Sequence, residues 1–181
     1  MEKNRSSSTT KYYVAEMSPT PIGPIGLAVS ERGLAYVELD GLADLKRSLA
    51  GWVESEKPPA LLVDSMQQIR EYLLGQRKVF SMPLDLQGRT AFTLQVLEAC
   101  RNIPYGQVCS YGELALRVGH PKAARAAGSV MASNPIPLVI PCHRVVGSEG
   151  GLHGFGAPGG LDTKAWLLQM EGVSVVGHKL A

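Results

Sequence analysis

Cysteine is scarce in this sequence. Only Cys100, Cys109 and Cys142 occur among the 181 residues. The number is odd and no pair has C-x-x-C spacing. That argues against a disulfide framework or a zinc knuckle, and for a reducing compartment. The expected location is therefore cytoplasmic, or nuclear in a eukaryote. Histidine is absent before His120, so the first half has neither His nor Cys to hold a structural zinc ion. No apolar run reaches the roughly 20 residues that span a bilayer, so no membrane partner is expected. The opening MEKNRSSSTTKYY lacks an apolar segment and reads as a polar, mobile tail, not a secretory signal. A strong charge of one sign is missing as well. Eighteen Lys and Arg against 16 Asp and Glu leave a net +2, which taken whole does not advertise a nucleic-acid partner.

What is present suits a globular protein: 45% hydrophobic and 19% charged residues, at a length allowing one domain or two small ones. The first half reads as α+β. Ile25, Leu27 and Val29 alternate with small residues, Glu31-Arg32-Gly33 makes a turn, and residues 34–39 resume as a strand, so a hairpin is predicted. Leu42, Leu45, Leu49 and Trp52 follow helical spacing up to a break at Lys57-Pro58-Pro59. Leu62, Met66, Ile69 and Leu73 mark a second helix stopped by Gly75. Phe80, Met82, Leu84 and Leu86 alternate as a third strand that returns to the hairpin. The expected division falls at residue 88, giving units 1–88 and 89–181.

The second half becomes helical. Phe92, Val96, Cys100 and Ile103 share one face of a helix ending before Pro104, which makes Cys100 a packed, inert thiol. Cys109 reads the same way. Ser110 and Glu113 form a capping-box pattern on a short helix that closes at Gly119. Pro121 suits the first position of a further helix through Lys122 to Gly128, ending before Pro135. Two short helices joined by a tight turn make a helix-turn-helix candidate, though helical hairpins are also common in cores. The second helix is lined with Ala and Gly around Arg125, so its backbone could approach another surface closely.

The charge distribution sharpens this. Residues 1–90 carry 11 basic and 11 acidic side chains, whereas 91–181 carry 7 and 5. No acidic residue lies between Glu113 and Glu149, a span that holds Arg117, Lys122, Arg125 and Arg144 with His120 and His143. Four cations without a carboxylate predict a local basic surface suited to phosphates.

Chemistry points to Cys142. It follows an apolar segment, residues 136–140, and precedes His143 directly. A free thiol is only slightly ionised at neutral pH, so a reactive Cys needs a base, a cation or a helix N-terminus beside it. Sequence neighbours seldom point the same way, so His143 is expected to act through a water molecule. A buried structural Cys beside a surface His is the alternative. Residues 162–169 read as a helix with Trp166, Leu167 and Met170 inward and Gly172 as its stop. Glu171 then opposes the macrodipole at the helix C-terminus. It is better explained if it orients and charges His143, in a Cys-His-Glu relay; the alternative is a tolerated exposed Glu.

These residues carry a resemblance. Ile103-Pro104-Tyr105-Gly106, Ser110-Tyr111, Lys122-Ala123-Ala124-Arg125-Ala126, Asn134-Pro135-Ile136-Pro137, Ile140-Pro141-Cys142-His143-Arg144-Val145-Val146-Gly147 and Lys164-Ala165-Trp166-Leu167-Leu168 with Glu171-Gly172 recur in consistent order. Over about 80 residues the chain resembles the C-terminal domain of the O6-alkylguanine-DNA alkyltransferases. The first 88 residues are similar, more loosely, to that family's N-terminal domain.

The resemblance implies an α+β fold: a small ribonuclease H-like sheet-plus-helix domain, then a mostly helical domain with a winged-helix or helix-turn-helix motif. It implies a monomer that binds double-stranded DNA through the minor groove, flips out O6-alkylguanine, and transfers the alkyl group irreversibly to Cys142 in one turnover. Within it, His143, oriented by Glu171, takes the thiol proton through water, and Tyr111 aids rotation and hydrogen-bonds or protonates the guanine ring. Arg125 fills the gap left in the base stack, Asn134 braces the active-site segment, and the Val145 carbonyl accepts from the guanine amine. Ala126, Gly128 and Thr93 contact DNA. No cofactor and no metal are implied.

The chain departs from the family pattern between Cys142 and the last helix. That loop is about two residues longer, and Pro158, which has no N–H, stands where some members donate to the guanine oxygen. Either a neighbour replaces the donor or the gap lies elsewhere. Residues 154–159 match G-x-G-x-x-G, but no strand clearly precedes them, which argues against a dinucleotide site. Competing readings are a lesion-binding relative that does not transfer, a helix-turn-helix regulator, and a thiol hydrolase. Cys142 argues against the first, the second lacks an evident effector domain, and the third would turn over.

Overall fold

The computed structural model describes residues 10–55 and 57–181, so the expected tail falls mostly outside the described residues. Four strands open the chain: β1 (Tyr12–Met17), β2 (Ile25–Val29), β3 (Leu34–Glu38) and β4 (Trp52–Val53). They form one sheet in the order β3-β2-β1-β4. The expected hairpin is β2–β3, paired antiparallel. Tyr12 and Tyr13, read as tail, instead begin β1, which lies inside the sheet between β2 and β4. Aromatic side chains suit the half-buried pleat better than the polar residues before them.

Two helices clasp this sheet, α1 (Leu42–Ser48) and α2 (Ala60–Leu73). Period-two alternation decides which residues meet which helix. Ile25, Leu27 and Val29 of β2 share a core with Leu62, Ile69 and Tyr72 of α2. Ala28 and Val14 pack with Leu45 and Leu49 on the α1 side. Helical spacing from Leu42 to Trp52 holds for only two turns: Leu49 is extended and Trp52 belongs to β4. The chain therefore leaves the helix well before the Lys57-Pro58-Pro59 break. The anticipated third strand over residues 80–86 does not form. It reduces to one bridge, Leu34 with Leu84, flanked by bonds from Leu34 N–H to the Pro83 carbonyl and from Asp85 N–H to the Leu34 carbonyl. Pro83 has no N–H to extend a ladder.

The second half contains α3 (Ala91–Arg101), α4 (Tyr111–Arg117), α5 (Ala124–Ala132) and α6 (Leu161–Met170). The capping box at α4 is complete: Ser110 accepts from the Glu113 N–H, and the Glu113 carboxylate accepts from the Ser110 N–H. Gly119, at φ 80°, ends that helix. Pro121 does not open the next. Ala123 N–H bonds the His120 carbonyl in a turn, and helical bonding starts one residue later, from Ala127 N–H to the Ala123 carbonyl. α4 and α5 make the helix-turn-helix, with α3 packed on both. A short parallel pair, β5 (Cys109–Ser110) and β6 (Val145–Val146), ties α4 to the Cys142 segment. A closing hairpin, β7 (Val175–Val176) with β8 (Lys179–Leu180), follows α6.

The halves share one apolar core, in which Leu27, Ile69 and Tyr72 join Leu97, Val130, Ile140 and Leu167. The exposed edge of β3 is covered by the second half, because Val37 N–H bonds the Pro135 carbonyl at 2.9 Å. Among the described residues no helix is long and apolar enough to cross a membrane.

Candidate active site

Cys142 opens one turn of 3-10 helix, Cys142–Arg144, held between an irregular apolar segment and β6. The segment before it is strained and braced. Leu138 is buried with φ 72°, an unfavourable conformation for a branched side chain. Asn134 closes the loop over it, donating from Nδ2 to the Ile140 carbonyl at 2.8 Å and accepting at Oδ1 from the Ile136 N–H at 3.1 Å.

Cys142 is only 9% exposed and faces a cavity of about 280 Å³. Tyr111, Gly128, Met131, Ala132, Gly154, Phe155 and Gly156 complete its wall. A more open depression lined by Tyr111, Ala124, Arg125, Gly128 and His153 shares two of those residues, so α5 and Arg125 stand at the mouth. A Cβ at Gly128 would sit 3.7 Å from the Tyr111 ring, so the small residue lets α5 lie against that ring. Pro158 is not part of the cavity wall; its carbonyl accepts instead from the Thr163 hydroxyl in the first turn of α6.

Behind the thiol lies a buried polar cluster. His143 Nε2 is 3.0 Å from Glu171 Oε1. Arg144 grips the same carboxylate with two nitrogens, Nε to Oε2 at 2.9 Å and Nη2 to Oε1 at 2.8 Å. Its Nη1 donates to the Ile103 carbonyl at 2.6 Å. The Gly106 N–H reaches Oε2 at 3.2 Å, and the Tyr72 hydroxyl donates to Oε1 at 2.6 Å. Gly106 must be glycine: it has φ 75°, and a Cβ there would lie 2.9 Å from the Glu171 carbonyl.

Burial pushes the Glu171 carboxyl up, but hydrogen bonds from His143 and Arg144 outweigh it and hold the group at about 2. An ionised carboxylate only accepts, so Nε2 of His143 carries its proton toward Glu171. Burial lowers the His143 pKa against the pull of Glu171, so the ring is neutral and Nδ1 keeps a lone pair. Nδ1 is buried and makes no hydrogen bond among the described residues. Arg144, not His143, supplies the counter-charge to Glu171.

Burial also raises the Cys142 thiol, opposed by hydrogen bonding from Asn134 and by the Lys164 charge. Lys164 is fully buried and donates from Nζ to the Val145 and His153 carbonyls at 2.7 and 2.9 Å. Desolvation pulls its pKa down to about 8. Tyr111 is raised by burial and then by Cys142.

Several sequence expectations meet here. Cys142, Tyr111 and Gly128 line one cavity, Arg125 and Ala126 are exposed on α5, and His143 contacts Glu171. Val145 does not line that cavity, and its carbonyl accepts from Lys164. Thr93 does not join the cavity wall: it lies in the first turn of α3, where its N–H bonds the Thr90 hydroxyl. The predicted basic surface is smaller than expected. His143 and Arg144 are buried, which leaves Arg117, His120, Lys122 and Arg125 exposed. On α6 the inward residues are Thr163 to Ala165 with Leu167 and Leu168, while Trp166 and Met170 are half-buried. Sequence reasoning missed Arg144 as the partner of Glu171, and missed Tyr72 altogether. Lys164 had a usable signal, since it falls at helical spacing from Leu161, Leu167 and Leu168 on an apolar face.

Fold and site together define a helix-turn-helix protein with a buried thiol beside an imidazole–carboxylate–guanidinium cluster. Two family models match nearly the whole chain. The 6-O-methylguanine DNA methyltransferase ribonuclease-like domain matches residues 11–86, and the DNA binding domain of the same name matches residues 91–173. The methylated-DNA--protein-cysteine methyltransferase of Methanosarcina acetivorans is 40% identical over 84% of this chain and 94% of its own. The constitutive enzyme of that name from Bacillus subtilis is 36% identical over 90% and 96%. Among solved structures, Mycobacterium tuberculosis OGT in complex with DNA superposes with a TM-score of 0.76 at 36% identity, covering 88% of this chain and 92% of that one. The chain belongs to the 6-O-methylguanine DNA methyltransferase family.

Proposed function

We infer that this protein repairs DNA by moving the alkyl group of O6-alkylguanine onto Cys142, as a single-turnover methylated-DNA--[protein]-cysteine S-methyltransferase. The observation that carries the reading is Cys142 on the wall of a cavity of about 280 Å³, with Nδ1 of His143 buried and making no hydrogen bond among the described residues. Relatives 36–40% identical over most of their length carry the enzyme's name.

The substrate carbon lies inside a base stack, so the nucleotide must leave the helix to meet the thiol. α5 enters the minor groove, where its small residues let the backbone approach, and Arg125 fills the vacated place. Lys122, His120 and Arg117 add phosphate contacts. Tyr111 and Gly128 border both the α5 face and the cavity, which makes them the passage for the flipped base.

The Cys142 proton passes through water to His143 Nδ1, and Glu171 steadies the imidazolium through Nε2–H. The sulfur lone pair then attacks the alkyl carbon and the carbon–O6 bond breaks. Its electron pair goes to the guanine, which takes a proton from Tyr111 as it leaves. A thioether does not hydrolyse under mild conditions, so each molecule acts once. None of these steps needs a cofactor. Asn134 keeps the strained 134–140 loop in place, and Val145 offers its second carbonyl lone pair to the guanine amine. We also propose units 1–88 and 89–181, supported by family matches that end at 86 and resume at 91.

The test is intact-mass measurement after incubation with duplex DNA containing O6-methylguanine. One methyl added to Cys142, and none in Cys142→Ala, is expected. Repeated turnover, or DNA binding without an adduct, would overturn the assignment.

A further inference from the structure

The cluster behind Cys142 contains one side chain from the first half of the chain. Tyr72 lies in the last turn of α2, and its ring is fully buried. Its hydroxyl donates to Glu171 Oε1 at 2.6 Å and lies 3.1 Å from His143 Nε2. Three groups therefore converge on one edge of the carboxylate: Tyr72 Oη, His143 Nε2 and Arg144 Nη2. The Tyr72 ring is itself wedged between Phe80 at 5.2 Å and Tyr105 at 6.3 Å, centroid to centroid, which fixes where the hydroxyl points. A buried hydroxyl with no solvent access must find a partner, and this one has found the two groups that handle the thiol proton.

We propose that Tyr72 is a positioning residue for alkyl transfer: its hydroxyl holds the Glu171 carboxylate and the Nε2–H of His143 in register, so that Nδ1 is presented to the Cys142 proton. This rests on the alkyltransferase reading of the site. It gives the first half of the chain a part in the chemistry beyond packing. The hydroxyl proton is committed to Glu171, so the oxygen lone pairs face the Nε2–H, and both contacts favour the same tautomer. Desolvation, then the Glu171 charge, drives the phenol well above its usual range, so it stays a neutral donor throughout.

The hydroxyl also tempers the carboxylate. A donor on Oε1 drains charge that would otherwise bind the imidazolium more tightly. Remove it, and Glu171 holds the His143 proton harder, so the ring stays protonated to higher pH and is a poorer acceptor. The other titratable groups facing this site are Arg144 and Cys142 on the same turn, Lys164 from α6, Tyr105 beside Glu171, and Cys100 from α3.

The test compares the full chain with Tyr72→Phe, which keeps the ring and removes one oxygen. Single-turnover methyl transfer from O6-methylguanine DNA is followed against pH, with the fraction of active molecules read from the burst. The rate per active molecule at pH 7 is expected to fall roughly tenfold, the scale of one hydrogen bond to a charged group. The rising limb of the pH profile is expected to move up by about half a unit or more. Nitrogen-15 spectra of His143 should show the ring protonated to higher pH than in the parent. DNA affinity, measured in the Cys142→Ala background, should not change. If the variant loses active fraction while its rate, pH profile and His143 titration match the parent, Tyr72 is structural only and the proposal is wrong. An unchanged variant overturns it equally. Failure of the parent chain to take up methyl would instead overturn the alkyltransferase reading, and the two results are separable in one experiment.

Discussion

The two halves bury different things. The first encloses mostly hydrocarbon: Ile25, Leu27, Leu34 and Ile69 are fully sequestered, and its ion pairs, Arg32 with Asp85, Lys46 with Glu54, Arg47 with Asp44 and Arg77 with Glu71, each keep at least one partner partly in water. The second encloses ionisable groups. His143, Arg144, Lys164 and Glu171 are all 5% exposed or less. Buried charges are tolerated only when paired and fully hydrogen-bonded, and a core with apolar residues in their place would often be as stable. Such a cluster is therefore better explained by work than by stability. The first half makes a scaffold whose buried polar side chains, Ser30, Ser65, Gln68 and Asp85, stay outside the Cys142 cluster, and Tyr72 is the side chain that crosses over.

The largest effect that could break this contrast comes from Glu171. Glu171→Ala strands the Arg144 guanidinium and the Tyr72 hydroxyl in the core, and should cost about 3–5 kcal/mol in urea unfolding. A loss below about 1 kcal/mol would show that the cluster is not closed to water. The same carboxylate sets an acid limb. Its folded pKa, about 2, lies below the unfolded value, so its stabilisation is complete above about pH 4.5 and disappears as pH falls toward 2. Glu171→Gln should flatten that part of the stability curve.

Leu27→Ala in the first half should lose about 2–5 kcal/mol by opening a cavity. Unlike Glu171→Ala, it should leave the transfer rate per folded molecule unaltered. A changed rate would mean that the sheet does more than support the second half. Arg125→Ala should reverse the pattern. The side chain is exposed, so stability should stay within about 0.5 kcal/mol. Transfer from duplex DNA should fall tenfold or more, because flipping costs a few kcal/mol that the arginine offsets.

Lys164 sharpens the contrast at the alkaline end. Burial brings its pKa from 10.5 to about 8, so between those values the unfolded chain binds the extra proton and stability should rise with pH. Lys164→Met should remove the rise, as read by denaturant midpoints across that range. The smallest effect belongs to the wet pairs. Lys46→Ala should change stability by less than about 1 kcal/mol, since an exposed pair gains little over hydration.

Much of this was legible from residue spacing. The β2–β3 hairpin, the α2 stripe, the α3 face carrying Cys100 and the Ser110–Glu113 cap all follow from local pattern, because a helix or strand needs only its own neighbours to reveal its period. The misreadings came where tertiary context took over. Tyr12 and Tyr13 sat next to a polar stretch and looked like tail until β2 gave them a partner. Residues 80–86 alternated like a strand, but Pro83 limited them to a single bridge. The sequence also kept Cys142, His143 and Glu171 in view, by residue type, by adjacency and by an acidic residue at the wrong end of a helix.

Partnership was another matter. Arg144 looked like one of four surface cations, and nothing in its neighbours distinguishes it from Arg125. One is folded inward against Glu171 and the other stands at the cavity mouth, because α6 and the end of α3 bring the Glu171 carboxylate and the Ile103 carbonyl to the first, and the second side chain meets no such partner among the described residues. Tyr72, 71 residues before His143, had no local signature at all. Periodicity along the chain was enough to specify which residues are helical, apolar or reactive. Which nitrogen of His143 holds the proton, and which cation neutralises Glu171, was decided only when distant segments packed, since hydrogen-bond direction and desolvation arise from neighbours in space.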